Sequence, residues 1–144
     1  MTPLDAELVR RKLVVIERNL AHLAGIENLS LEEYQSDFLR RKATERVLQE
    51  IVKAAADVNL HLIREAGGET PRGHYETFIA VGREKIVDYE LAQALAPSGG
   101  LRNRLVHEYD EIDDAIVLEA VAEVKSLFHR YAAEIERHLT AAGF

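Results

Sequence analysis

Cysteine is absent from the sequence. Disulfides, thiolate metal sites and cysteine nucleophiles are thereby excluded, and the absence fits a reducing compartment. Long apolar runs are absent as well. In the N-terminal stretch MTPLDAELVRRKLVVIERNL charges interrupt every hydrophobic segment. Neither a signal peptide nor a membrane span is expected there, and a cytoplasmic location is. Strand signals are also missing: no run alternates with a period of two, and neither Asn-Gly nor Asp-Gly occurs. There is no Gly-rich phosphate loop, no Ser-His-Asp order, no carboxylate dyad, and no His-x3-His spacing among the six histidines. No metal and no cofactor is expected. Net positive charge is lacking too. The formal charge is −7, which argues against general nucleic-acid binding, because that depends on neutralising phosphates. A local basic site on an acidic body remains possible.

What is present is helical material. Hydrophobic residues make up 47% of the 144, too many for a disordered chain. This length suits one domain, residues 1–144, which can bury roughly 68–70% of its unfolded surface. Val9, Leu13, Ile16, Leu20 and Leu23 recur at intervals of four and three. Val47, Ile51, Ala54, Val58 and Leu62 do the same, as do Val117, Val121, Val124, Phe128, Tyr131 and Ile135. Each series is the core-facing stripe of an amphipathic helix.

The breaks follow. Gly25 ends the first helix. Ser30 and Glu33 have the spacing of a capping box. Gly67 and Gly68 stop a long second helix, which has apolar residues on several sides and should be the most buried. Thr70-Pro71 is a start signal that Gly73 delays to about His74. Asp88 caps a short helix ending near Pro97, Ser98-Gly99-Gly100 forms a turn, and a further short helix follows. Asp113 caps the last long helix. The expected architecture is an all-α bundle of three long helices and two or three short ones.

Residues 101–109, LRNRLVHEY, hold more polar chemistry than packing requires. At about 100° per residue, Asn103 and His107 share a helix face, and Arg102 stands about 140° from His107. Arg102 must therefore reach around the helix, or the helix must end near His107, or a second copy must contribute. Histidine suits proton transfer near neutral pH. Arginine recognises phosphate with a planar, permanently charged fork. Together they suit attack of a ribose 2′-OH on the adjacent phosphate. That reaction needs both an acid and a base, and a two-fold dimer would supply two copies of His107. Residue types alone leave two readings open: this chemistry, or a solvated arginine, a capping asparagine and a histidine at a helix end.

The spacing Arg102-x4-His107-x-Tyr109 resembles the motif of HepT toxins, small all-helical ribonucleases of the HEPN class. ERVLQEIVKAAADVNLHLIREAG at 45–67 looks like the family's second helix, and TPRGHYETF at 70–78 like its next turn and helix. GLRNRLVHEYDEID at 100–113 is close to the family's most typical segment, and the order holds over about residues 4–135. The resemblance implies a homodimeric, metal-independent RNase acting as a toxin on RNA. Its implied partner is a nucleotidyltransferase antitoxin of the MntA type, which adds AMP to the motif tyrosine. On that basis Arg102 and His107 are catalytic, Asn103 supports them and Tyr109 is the AMP acceptor.

Other features have plainer readings. Glu108, Asp110, Glu111, Asp113 and Asp114 should repel RNA. They serve to solvate a loop and cap the last helix, or to attract a basic antitoxin. Arg102, Arg104 and the Arg40-Arg41-Lys42 cluster could offset them, although that cluster reads as a solvated helix face. His22, His61, His74, His129 and His138 read as structural or surface residues, and Tyr75 and Tyr89 as packing residues. Asp57 and Asn59 are either polar positions on the less buried face of their helix or partners that orient the motif. The alternative function is a non-catalytic helical module that binds a nucleotide or a nucleotidyltransferase.

Overall fold

In the computed structural model, which describes residues 3–144, short polar side chains set most helix starts. The Leu8 N–H donates to Asp5 at the head of α1 (Ala6–His22). Ser30 and Glu33 form the expected reciprocal box at α2 (Leu31–Gln35). Asp37 caps α3 (Phe38–Glu65), Asp88 caps α5 (Tyr89–His107) and Asp113 caps α6 (Asp114–Ala141). The remaining helix, α4 (Gly73–Arg83), starts without a side-chain cap, so Thr70 does not do that work. Gly73 turns the chain into α4 with a left-handed φ of 81°.

The three predicted stripes meet in one apolar cluster. Val9, Leu13, Ile16 and Leu20 of α1 face Ile51, Val58 and Leu62 of α3 and Val117, Val121, Phe128 and Ile135 of α6. The α3 helix also buries Leu48, Ala55 and Ala56 on other sides. Phe78 ties α4 into the cluster, its ring edge-on to Phe128 and Tyr131 at 6.0 and 6.2 Å. Such aromatic pairs contribute about 0.5–1.5 kcal/mol each beyond the area they bury.

The predicted turn at Ser98-Gly99-Gly100 does not form. Helix α5 runs unbroken from Tyr89 to His107 with Pro97 inside it, so the described residues hold four long helices rather than three. Proline removes the bond that the Gln93 carbonyl would accept. Gln93 and Pro97 are both exposed, so water can take that carbonyl. Leu91, Leu95, Leu101 and Leu105 are all buried along the helix, and their packing outweighs the poor propensity of the Pro-Ser-Gly-Gly segment. Gly99 serves close approach rather than a turn. A Cβ there would stand 2.6 Å from the Tyr75 backbone nitrogen of α4.

Candidate functional site

Because α5 continues to His107, Arg102, Asn103 and His107 lie on one helix and fan around it, and Tyr109 lies beyond its end. The Glu108 N–H donates to the Arg104 carbonyl at 2.8 Å and closes the helix. Tyr109–Glu111 then form a 3-10 turn. His107 is the last helical residue and is exposed. Tyr109 is 69% exposed. Arg102 turns the other way, half-buried, and its Nε is buried without a hydrogen-bond partner among the described residues. The acidic run forms the turn and the cap: Asp113 accepts from the Ala115 N–H, and Asp114 pairs with Arg41 at 3.3 Å.

Arg102 closes a groove of about 620 Å³ between α1 and α3. Five cationic side chains line it, Lys12, Arg18, Arg46, Lys53 and Arg102, against two carboxylates, Glu50 and Asp57. Lys12 and Lys53 both donate to Asp57, at 3.1 and 2.7 Å. Burial pushes the Asp57 carboxyl up, but those two bonds outweigh it and hold the group below its ordinary range. One carboxylate shared by two ammonium groups leaves excess positive charge. Arg40, Arg41 and Lys42 do not line this groove and pair instead with Asp37, Asp114 and Glu45.

Asn103 faces α4, where its Oδ1 lies 3.3 Å from the His74 Nδ1. Burial lowers the His74 pKa, and the charges of Arg102 and Lys53 add to the effect. The Asn103 hydrogen bond and Asp57 oppose it. His74 is thus at the motif and is not a detached surface residue. Asn59 is fully buried and not on a less buried face. It accepts from the Tyr131 hydroxyl and donates to Thr77. Tyr75 and Tyr89 are 46% and 50% exposed and do not pack in the core. His22 lines the groove, and His61 accepts from the Asp5 N–H. Among the described residues no group of three or more His, Asp or Glu is placed to hold a metal.

The sequence reading missed His74 and the groove cations Lys12, Arg18, Arg46 and Lys53. Arg46, Gln49, Lys53 and Asp57 recur at intervals of three and four, with Glu50 beside Gln49, a polar stripe next to the apolar one, and that signal could have been followed. Nothing local marks His74, which lies 29 residues from its partner.

The described residues form an all-helical body, with the polar segment of residues 102–109 at the C-terminal end of α5. The sequence matches the family model "Ribonuclease HepT-like" over residues 16–135, and the chain belongs to that family of ribonucleases. It is 40% identical over 139 residues to the tRNA nuclease HepT of Aphanizomenon flos-aquae, an overlap of 96% of this chain and 95% of that one. Its fold matches a tri-AMPylated Shewanella oneidensis HEPN toxin solved in complex with MNT antitoxin. The TM-score is 0.80 at 22% identity, over 90% of this chain and 97% of the other. It also matches YutE of Bacillus subtilis, a cytosolic protein of unknown function, with a TM-score of 0.86 at 15% identity, over 99% and 96%. Among the described residues no helix is long and apolar enough to cross a membrane.

Proposed function

We propose that this chain is the toxin of a toxin–antitoxin pair, a cytoplasmic endoribonuclease that cleaves RNA without a metal. The 40%-identical relative, named for tRNA cleavage, favours tRNA as the substrate class. The observation that carries the reading is the cationic groove closed by Arg102 on a chain of net charge −7. Such a groove concentrates a polyanion locally while the acidic remainder discourages binding elsewhere.

In this reading the phosphate to be cleaved sits at the seam of a two-fold dimer, because Arg102 and His107 of one chain stand about 140° apart on α5. The ribose 2′-oxygen bonds to phosphorus as a base removes its proton. The bond from phosphorus to the 5′-oxygen breaks, and an acid protonates the leaving oxygen. The products are a 2′,3′-cyclic phosphate and a 5′-hydroxyl. His107 supplies one proton-transfer group, and His107 of a second copy supplies the other in a two-fold dimer. Arg102 stabilises the charge that develops on the phosphate oxygens. Asn103 supports the same phosphate.

Tyr109 is the point of control. Its exposed phenol stands two residues beyond His107, within reach of a nucleotidyltransferase antitoxin of the MntA type. AMP placed there adds bulk and a negative charge where an RNA phosphate must lie. Expression in a bacterial host tests the core of the proposal. Wild type should arrest growth and generate cyclic-phosphate RNA ends, and His107→Ala should do neither. Equal arrest by both would reject the cleavage mechanism, and a monomer by light scattering at micromolar concentration would reject the shared site.

A further inference from the structure

We propose that His74 is a positioning residue of the ribonuclease site, holding the Asn103 side chain so that its amide NH2 is presented beside Arg102 to a phosphate oxygen of RNA. The inference rests on the reading of residues 102–109 as the cleavage site.

Three observations place His74 there. The first is backbone contact. A Cβ at Gly99 would lie 2.6 Å from the Tyr75 nitrogen and 2.9 Å from the His74 carbonyl carbon. The first turn of α4 is therefore seated directly on α5. Asn103 is one turn beyond Gly99 on the same face, which is where the His74 ring meets it at 3.3 Å.

The second is anchoring from the core. The His74 carbonyl accepts from the Thr77 hydroxyl at 2.7 Å. Thr77 in turn accepts from the Asn59 amide at 3.4 Å, and Asn59 accepts from the Tyr131 hydroxyl. Asn59 and Tyr131 are fully buried. Residue 74 is thus tied by its backbone to α3 and α6 and by its ring to α5. The carbonyl bond is open to any residue at position 74, whereas the ring bond to Asn103 calls for a side chain that can donate.

The third is chemical direction. The Asn103 oxygen can only accept, so the imidazole nitrogen donates to it. With that oxygen engaged, the group Asn103 has left for a ligand is its NH2, a donor suited to a phosphate oxygen. Asn103 of α5 contacts the ring, and the charges that act on it are Arg102 of α5 and Lys53 and Asp57 of α3. Burial and the two cations lower its pKa, which favours the neutral ring, a form that orients Asn103 without adding a charge of its own.

The test measures kcat and KM for cleavage of an RNA oligonucleotide by wild type, Arg102→Ala, His74→Ala, His74→Gln, Asn103→Ala and the His74→Ala, Asn103→Ala double variant. Loss of one directed hydrogen bond to a charged group corresponds to a loss on the order of 10–100-fold. That loss is expected in kcat/KM for His74→Ala and equally for Asn103→Ala. The double variant should fall no further, because the two act as one unit. His74→Gln, whose amide can still donate to Asn103, should recover most of the activity. Full activity in His74→Ala while Arg102→Ala is inactive would overturn this inference alone. So would losses that multiply in the double variant. Wild-type cleavage by Arg102→Ala would instead remove the site reading beneath it.

Discussion

The Tyr75 backbone nitrogen would stand 2.6 Å from a methyl group at Gly99, so the two helices that build the site touch through main chain. Backbone cannot swing aside as a side-chain tip can. Gly99→Ala should therefore destabilise the protein by about 1–3 kcal/mol, the usual cost of overpacking, even though alanine is the better helix former. A methyl group at Gly100, one residue on, would meet only the flexible tip of Arg104, whose Nη1 would lie 3.9 Å away. Gly100→Ala should stabilise by up to about 1 kcal/mol. Thermal midpoints that move in opposite directions meet the prediction, and a shared direction contradicts it.

Arg102→Ala and His107→Ala should each remain folded and lose RNA cleavage. Removing a proton-transfer group costs about 10²–10⁴-fold, and removing a charge stabiliser on the order of 10²–10³-fold. Cleavage by wild type should persist in EDTA. Activity lost to the chelator and restored by a divalent ion would replace this mechanism with a metal-assisted one.

The groove can be titrated with salt. Affinity for single-stranded RNA falls with ionic strength by a slope of about 0.7 per neutralised phosphate. Lys53→Ala and Arg18→Ala should each weaken binding of a non-cleavable RNA and reduce that slope by about this amount. Asp57→Asn should do the reverse and bind more tightly, because it removes the carboxylate that Lys12 and Lys53 share. Unchanged slopes in both lysine and arginine variants would place the RNA elsewhere.

Asp57 also predicts an acid limb in stability. Its folded pKa is lowered, since the Lys53 and Lys12 bonds outweigh the effect of burial. Its contribution is then complete above the unfolded carboxylate range, near pH 4, and is lost as pH falls through the lowered folded value. Urea midpoints taken from pH 7 down to pH 3 should drop further for wild type than for Asp57→Asn. Parallel curves would mean that the ion pairs add nothing measurable.

Tyr109→Phe should fold, keep at least part of its cleavage activity and escape neutralisation. A phenol titrates near pH 10 and carries protons poorly at neutral pH, so the hydroxyl serves better as an acceptor of AMP than in the cleavage step. Intact mass after incubation with a nucleotidyltransferase partner and ATP should show added AMP on wild type and none on the variant. Equal modification of both would move the control point off Tyr109.

Most of the helices and the caps at Ser30, Asp88 and Asp113 were legible in the sequence because they depend on residues a few positions apart. The stripes in α1, α3 and α6, the Ser30–Glu33 box, and Asp88 and Asp113 are all local patterns, and each appears where its spacing puts it. The Arg102, His107 and Tyr109 spacing was equally legible. Three things were decided only in the folded chain. Gly99 could serve a turn or a close approach, and α4 lying across it selects the second. The groove gathers Lys12 and Arg18 of one helix with Arg46 and Lys53 of another and with Arg102 of a third. His74 meets Asn103 across 29 residues of sequence. In each case the partner is distant along the chain and near only after the core has packed, so no local pattern can carry the information.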